Sequence, residues 1–319
     1  MRVAVVDIGT NSTRLLIADV APGGAVADRY RESIVTRLGE GVDATGRLGD
    51  EPMQRVFDVL ERYRAAIDEQ GATRTIAVLT SAVRDATNGA QFTETVRERF
   101  KLAARTIGGD EEAALMFAGA TSARPHDGVQ TVVVDIGGGS TEFVVGHDGR
   151  VAFHVSTQAG VVRQSERHLH DDPPHHDQLE ALAAEVRTII EGAVPADARR
   201  DVQLGIAVAG TATQCAAIEL ALDPYDPAKV HGHVLELATC ELLLARLAQM
   251  SNDQRREVVG LHPDRAPTIV AGIAMLVETL RAFGLERVDV SEHDILRGAA
   301  LALASDAHAS ASDAPPSGS

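Results

Sequence analysis

The chain contains no tryptophan, and aromatic residues make up only 3% of its 319 residues. Its cores must therefore be built from Ala, Val, Leu and Ile, which is typical of layered α/β proteins. Cysteine is also scarce, since the chain has only Cys215 and Cys240. Two cysteines are too few for a cysteine metal cluster, and we expect both to be reduced thiols, as in the cytoplasm.

Positive charge is also in deficit, because the formal net charge is −16. Such a chain should repel nucleic acids and anionic membranes, so neither is expected as a partner, and an anionic substrate would need locally placed arginines. The apolar runs are too short to span a bilayer. Met1 and Arg2 lead directly into an apolar strand pattern, so we expect no signal peptide and a cytoplasmic location.

What the sequence does contain is a glycine-rich stretch after an apolar run. Val132–Glu142 reads Val-Val-Val-Asp-Ile-Gly-Gly-Gly-Ser-Thr-Glu, which predicts a buried strand followed by a tight turn. Glycine lets backbone N–H groups approach a phosphate closely. Asp135 stands at the predicted strand end, where a carboxylate can hold a metal ion or orient a water. Ser140 and Thr141 can donate to phosphate oxygens.

The same pattern occurs a second time near the N-terminus, where Asp7 precedes Asp135 by 128 positions. A gapless match of this length indicates an internal duplication, and two unrelated hairpins with glycine turns are the alternative. At that offset Val5, Val6, Asp7, Ile8, Gly9, Ser12 and Thr13 recur as Val133, Val134, Asp135, Ile136, Gly137, Ser140 and Thr141.

The apolar patterns that follow the two copies predict the same element order, β-β-β-α-β-α, and hence two similar α/β domains. We place these domains at residues 1–120 and 121–304, with a last helix at 294–304 that can pack back on the first domain. Residues 305–319 are rich in Ala, Ser, Asp, Pro and Gly. Such a segment cannot bury an apolar face, so we expect a disordered tail.

Six short motifs together resemble those of a known family. They are Asp7–Ser12, Thr80–Arg84, Gly109–Ala113, Asp135–Glu142, Gly210-Thr211 and Ser291–Gly298. They resemble the acetate kinase, sugar kinase, heat-shock protein 70 and actin superfamily, and within it the Ppx/GppA family of exopolyphosphatases and guanosine pentaphosphate phosphohydrolases. The resemblance implies two duplicated ribonuclease-H-like (actin-like) α/β domains around a central cleft, in the family's short two-domain form.

By this resemblance, Glu112 would be the catalytic base and Arg84 would contact phosphate. Without it, a solvated helix N-terminus and a surface salt bridge would explain these two side chains. The cofactor would be Mg²⁺, with Mn²⁺ as a substitute. The metal ligands, direct or through water, would be Asp7, Asp135 and Glu142. The phosphate-binding residues would be Gly9, Thr10, Asn11, Ser12, Gly137, Gly138, Gly139, Ser140, Thr141, Gly210 and Thr211.

Other side chains are weaker candidates. Three arginines could add to the path of the anion, namely Arg163, Arg265 and Arg297. His231 and His233 could line the cleft. Four histidines surround a pair of prolines, where a polar loop fits better than a metal site; they are His168, His170, His175 and His176.

The leading interpretation is an Mg²⁺-dependent exopolyphosphatase. The near alternative is removal of the 5′ γ-phosphate of guanosine pentaphosphate, which the same motifs would serve. A small-molecule kinase on the same fold is more remote, because the acceptor motifs of such kinases are not found. A non-catalytic nucleotide sensor or an actin-like filament protein is also remote, because Glu112 and Arg84 are retained. Inorganic polyphosphate or guanosine pentaphosphate is therefore the expected partner, and the resemblance alone suggests a homodimer.

Overall fold

The computed structural model describes residues 1–312, apart from the side chains of Asp43 and of 306–312. It divides into two compact units. The first unit comprises residues 1–119 and the chain from Ile295 onward, and the second unit comprises residues 120–294. Within the described residues, no helix is both long and apolar enough to cross a membrane.

The first unit is built on a five-stranded sheet. Its elements before the last helix are β1 (Arg2–Ile8), β2 (Ser12–Val20), β3 (Val26–Val35), α1 (Val42–Thr45), α2 (Asp50–Gln70), β4 (Arg74–Leu79), α3 (Ser81–Asp85), α4 (Gly89–Phe100), β5 (Ala103–Thr106) and α5 (Gly109–Thr121). The strand order is β3-β2-β1-β4-β5. β1 pairs antiparallel with β2 and parallel with β4, and β4 pairs parallel with β5.

The second unit carries a six-stranded sheet. Its elements are β6 (Thr131–Ile136), β7 (Thr141–His147), β8 (Arg150–Thr157), α6 (Val161–His168), α7 (His176–Ala193), α8 (Ala196–Arg200), β9 (Leu204–Val208), α9 (Ala209–Glu219), α10 (Pro227–Val230), β10 (Val234–Glu236), α11 (Leu237–Ala248), α12 (Asn252–Arg256), a 3₁₀ turn (Pro263–Arg265), α13 (Ile269–Phe283) and β11 (Arg287–Val290). The strand order is β10-β11-β9-β6-β7-β8.

The two sheets repeat one topology. An antiparallel meander, β1-β2-β3 or β6-β7-β8, leads into a parallel neighbour of its first strand, which is β4 or β9. A further parallel strand, β5 or β11, lies beyond it. The prediction of two similar mixed α/β units is confirmed, and β10 is an addition to the second sheet. The carboxyl ends of the parallel strands in each unit share one sheet edge, where sites form in such folds.

The last helix packs on the first unit, in agreement with the prediction, and it corrects the predicted bounds of the second domain and of the tail. α14 (Ile295–Ser312) belongs to the first unit, where its Leu296 and Ala300 form one buried cluster with Val3 and Val5 of β1. The predicted domain of residues 121–304 therefore ends at residue 294. Because α14 continues to Ser312, residues 305–312 are helical rather than part of a tail. The rest of the predicted tail, 313–319, lies outside the described residues.

Candidate active site

In the first unit, the predicted metal ligand Asp7 already has a cationic partner. The pairing of β1 with β2 places Asp7 opposite Arg14. Arg14 donates to Oδ2 of Asp7 from Nε at 2.8 Å and from Nη2 at 2.6 Å. Asp7 is only 3% exposed, and a buried carboxylate is costly without a counter-charge. The ion pair therefore accounts for an aspartate in the buried end of a strand.

In the second unit, the position equivalent to Arg14 carries an acidic residue, Glu142. β6 and β7 place Asp135 opposite Glu142, in the same register as Asp7 and Arg14. Directly opposed side chains of an antiparallel pair lie on one face of the sheet, and like charges there are destabilising. Ser156 Oγ donates to Oε1 of Glu142 at 2.8 Å, and this hydrogen bond stabilises the carboxylate of Glu142.

Two carboxylates on one face form a donor set that fits Mg²⁺. This ion is usually held by one or two protein carboxylates, and water and phosphate oxygens complete its coordination. Among the side chains that the structure describes, no cluster of three or more His, Cys, Asp or Glu is suited to hold a metal. A metal at Asp135 and Glu142 would therefore depend on water or substrate for its remaining ligands.

Both glycine-rich loops close with the same turn. The N–H of Gly9 donates to the carbonyl oxygen of Ser12 at 3.0 Å, and the N–H of Gly137 donates to that of Ser140 at 2.9 Å. The loops of the two units are therefore duplicated in conformation as well as in sequence. They start at the strand ends that carry Asp7 and Asp135.

The loop side chains do not all have the predicted roles. Thr141 is buried, and its hydroxyl donates to the carbonyl oxygen of Ala159 at 2.6 Å. The prediction that the Thr141 hydroxyl donates to phosphate is therefore wrong, because its proton is donated to the turn between β8 and α6. Thr10 Oγ1 hydrogen-bonds Ser81 Oγ at 3.0 Å, which ties the first loop to the start of α3.

Glu112 and Arg84 meet at the sheet edge of the first unit. Arg84 lies in the last turn of α3, the short helix after β4, and Glu112 lies in the first turn of α5, after β5. Arg84 Nη1 donates to Oε2 of Glu112 at 3.0 Å and to the carbonyl oxygen of Ile107 at 3.1 Å. Burial raises the pKa of the Glu112 carboxyl, and Arg84 only partly offsets this rise. The sequence prediction thus names two side chains that are in direct contact.

The neighbouring Glu111 has a different environment. It pairs with Arg105 and its side chain is 40% exposed, whereas that of Glu112 is 18% exposed. Consecutive helix positions point about 100° apart, so Glu111 turns to solvent while Glu112 turns to Arg84. The prediction that these two glutamates differ in role agrees with this arrangement.

In the second unit, Gly210 and Thr211 lie in the first turn of α9 rather than in a loop, and this turn follows a strand next to β6. β9 is the parallel neighbour of β6, with Val208 in register with Asp135, and α9 follows it directly. A Cβ on Gly210 would lie 2.7 Å from the guanidinium carbon of Arg265, so this arginine covers the start of α9. Thr211 is buried, and its Oγ1 lies against Gly272 of α13.

Two of the weaker arginine candidates have hydrogen-bond partners within the protein. Arg297 donates to the carbonyl oxygen of Val26 at 3.3 Å and lies 3.4 Å from Asp28, so it fastens α14 to β3. Arg163 donates to the side-chain oxygen of Gln158 at 2.6 Å. Both side chains thus have structural partners within their own units.

The histidines have structural partners as well. His168 contacts Glu185 at 2.7 Å and His233 contacts Glu219 at 2.7 Å. His231 stacks on the ring of His293 with 3.8 Å between ring centroids. His176 lies 3.3 Å from Glu180 in the next turn of α7. Each of these four predicted histidines has an acidic or aromatic partner, which favours a structural role.

Residues 16–303 of the chain match the Ppx/GppA phosphatase family. The chain belongs to the Ppx/GppA family. Exopolyphosphatase 2 of Mycobacterium tuberculosis is 38% identical over 315 residues, which cover 95% of this chain and 98% of that protein. Family membership makes this protein a phosphoanhydride hydrolase.

Solved structures of Ppx/GppA proteins have the same fold. The Aquifex aeolicus family member matches with a TM-score of 0.83 and 30% identity, and covers 96% of this chain and 98% of its own. An exopolyphosphatase from Cytophaga hutchinsonii matches with a TM-score of 0.84 and 26% identity, over 96% of this chain and 98% of its own. The match to such proteins confirms the predicted actin-like two-domain fold.

Sequence reasoning missed Arg14 as a member of this Ppx/GppA site. At the offset of the duplication, Arg14 corresponds to Glu142. Because these two residues differ, the position was not among those that matched between the two copies. The signal was the predicted hairpin itself, since its register sets Arg14 directly opposite Asp7. The two copies of the hairpin therefore differ in the charge of the residue opposite the aspartate.

Proposed function

We propose that this Ppx/GppA protein is an Mg²⁺-dependent exopolyphosphatase, which releases the terminal orthophosphate of inorganic polyphosphate by attack of water. The observation that carries the proposal is the contact between Glu112 and Arg84, a carboxyl of raised pKa 3.0 Å from a guanidinium. Further support comes from the Mycobacterium tuberculosis relative named exopolyphosphatase 2, which matches along nearly the whole chain.

Glu112 is the proposed general base. A carboxylate whose pKa is raised by burial takes a proton from water more readily than an exposed one, because the ideal base has a pKa near the working pH. Arg84 is the proposed phosphate contact, since a guanidinium can bind two phosphate oxygens at once. A phosphate on Arg84 would stand next to the base, where the attacking water is needed.

The proposed metal ligands are Asp135 and Glu142. When bound, Mg²⁺ would neutralise charge on the phosphate oxygens. Arg14 already neutralises Asp7, so Asp7 is not proposed as a direct metal ligand. Ser12, Ser140 and the backbone N–H groups of the glycine-rich loops are the proposed uncharged donors to phosphate.

A cytoplasmic location belongs to the same proposal. Cys215 and Cys240 are buried free thiols, as expected in a reducing compartment. Burial raises the pKa of both thiols, so neither is suited to act as a nucleophile. The proposed reaction accordingly uses water and no covalent cysteine intermediate.

Orthophosphate release from three substrates tests the proposal. The purified protein is incubated with inorganic polyphosphate, guanosine pentaphosphate or ATP, with Mg²⁺ or with EDTA, and orthophosphate is measured by malachite green. We expect release from polyphosphate with Mg²⁺ and none with EDTA. Faster release from guanosine pentaphosphate would favour the alternative substrate, and no release from either would contradict the proposal.

A further inference from the structure

Gly160 lies so close to the second glycine-rich loop that a side chain at this position would clash with the loop backbone. A Cβ added to Gly160 would stand 2.3 Å from the carbonyl oxygen of Gly138 and 2.4 Å from the carbonyl carbons of Gly138 and Gly139. The backbone of Gly160, with φ −132° and ψ 164°, is extended and open to any L-residue. The close approach, and not the backbone conformation, is therefore what requires glycine.

This approach brings the first turn of α6 against the loop. The N–H of Val161 donates to the carbonyl oxygen of Gly137, and that of Val162 donates to the carbonyl oxygen of Gly138, each at 2.9 Å. The first N–H groups of a helix have no partner within the helix. Here two of them hold the loop, so α6 fixes the direction of two consecutive loop carbonyls.

Fixing the carbonyls also fixes the N–H groups that follow them. A trans peptide is planar, with its C=O and N–H on opposite sides. The N–H groups of Gly138 and Gly139 therefore point away from α6. In the described part of the chain, neither of these N–H groups has a protein acceptor. Adjacent N–H groups in a glycine turn are suited to hold an anion.

The first unit holds its loop in a different way. There the N–H of Gly39 donates to the carbonyl oxygen of Thr10 at 2.8 Å, and those of Thr36 and Arg37 donate to that of Asn11 at 3.0 and 2.9 Å. The holding segment is a loop after β3, and not a helix. Within the described residues, backbone hydrogen bonds from the first turn of a helix thus hold the second loop and not the first.

We propose that Gly160 is a positioning residue, which admits the first turn of α6 and so aims the N–H groups of Gly138 and Gly139 at a phosphate of the substrate. The identity of the substrate rests on the proposed function, whereas the orientation of the N–H groups does not. α6 is itself held in place at its other end, where His168 contacts Glu185 of α7 at 2.7 Å.

The first test is Gly160→Ala, with Gly192→Ala in α7 as the matched control, because a Cβ on Gly192 meets nothing within 4 Å. We expect Gly160→Ala to lower kcat/KM for polyphosphate by about 10–100-fold, as loss of an aligned backbone donor would. Gly192→Ala should stay within about twofold of wild type. Melting curves establish that the assays are run on folded protein.

A second pair of variants separates the loss of the hydrogen bond between Val161 and Gly137 from the loss of side-chain volume at Val161. Val161→Pro removes the N–H that holds Gly137, and proline is favoured at the first position of a helix after an extended residue. Val161→Ala keeps the N–H and removes part of the buried side chain. We expect the kinetic loss in Val161→Pro and only a lower melting temperature in Val161→Ala.

Amide NMR with inorganic tripolyphosphate provides a readout that does not depend on turnover. With Mg²⁺ present, tripolyphosphate should shift the Gly138 and Gly139 N–H signals in the wild type but not in Gly160→Ala or Val161→Pro. If these shifts occur but the wild type releases no orthophosphate, the proposed function fails and the positioning role stands. If Val161→Pro keeps wild-type kinetics and shifts, the positioning role is overturned, even where Gly160→Ala does not fold.

Discussion

The two glycine-rich hairpins share their turn, their register and most of their sequence, and differ in the charge at one position. Asp7 lies opposite Arg14, whereas Asp135 lies opposite Glu142. The first hairpin neutralises its own aspartate, while the second leaves two carboxylates on one face. Both units therefore share the turn that is proposed to hold phosphate, whereas the pair of carboxylates that is proposed to bind metal occurs in the second hairpin.

The largest effect is expected from replacing Glu112, the proposed general base. Glu112→Gln keeps the shape of the side chain but cannot accept a proton, so kcat for polyphosphate should fall by about 10²–10⁴-fold. Tripolyphosphate binding, measured by calorimetry, should stay close to that of the wild type. Turnover within a few-fold of wild type would show that another group activates the water.

The next effect comes from making the second hairpin like the first. Glu142→Arg would pair with Asp135 as Arg14 pairs with Asp7, and should lower Mg²⁺-stimulated activity by at least roughly 100-fold. The same change should slightly raise the melting temperature, because an opposed ion pair replaces a like-charge pair at a gain of about 0.2–1 kcal/mol.

Glu142→Gln is the control for this exchange. It removes the repulsion without supplying a counter-charge, so its activity should fall less than that of Glu142→Arg. An active, Mg²⁺-stimulated Glu142→Arg enzyme would contradict the division of roles between the two hairpins.

A smaller effect is expected at Arg84. Arg84→Ala should lower kcat/KM by about 10–100-fold, the loss of a charge-assisted contact of roughly 1.5–3 kcal/mol. Arg84→Lys should recover only part of it, since an ammonium lacks the bidentate fork. Arg62→Ala, at an exposed position on α2 paired with Glu32, is the control.

The pH profile of kcat/KM tests the direction in which Arg84 shifts the pKa of Glu112. Glu112 must be ionised to act as a base, and Arg84 lowers its pKa against the larger effect of burial. Removing Arg84 should therefore raise the pKa of Glu112 further and move the acid limb of kcat/KM to higher pH. An acid limb that stays in place or moves to lower pH would show that Glu112 does not set it.

The smallest effect should come from truncation after Ala304. Ala304 is the last residue of α14 in the buried cluster of the first unit, so removing residues 305–319 should leave the melting temperature and activity nearly unchanged. Leu296→Ala in the same helix should instead destabilise the protein by about 2–5 kcal/mol, because Leu296 is fully buried. Thermal unfolding of both variants checks the contrast.

Much of the fold could be read from the sequence because the duplication is gapless. The offset of 128 between Asp7 and Asp135 predicted both hairpins, and apolar periodicity predicted the strands and helices around them. α6 was missed because it is only 8 residues long and has two buried side chains, Val161 and Gln164. Too short a periodic pattern remained for the helix to be recognised.

Side chains that follow neighbouring strands could be predicted from their motifs. Contacts between residues far apart in the sequence could not. Glu112 and Arg84 follow strand ends that lie side by side in the sheet, so their motifs name two side chains that are in contact. The contact of Arg297 with Asp28 joins residues 269 positions apart in sequence, so no local motif could predict it. Thr141 was misassigned because its neighbour Ala159 belongs to the turn before α6, a helix that the sequence pattern did not predict.

The different roles of the two strand-end aspartates can be tested through the Mg²⁺ dependence of Asp135→Asn and Asp7→Asn. We predict that Asp135→Asn raises the Mg²⁺ concentration for half-maximal orthophosphate release from polyphosphate by about tenfold or more. Asp7→Asn should lower kcat without such a shift, because Arg14 and not a metal neutralises Asp7. A shift that appears in Asp7→Asn and is missing from Asp135→Asn would contradict this assignment of the metal to the second hairpin.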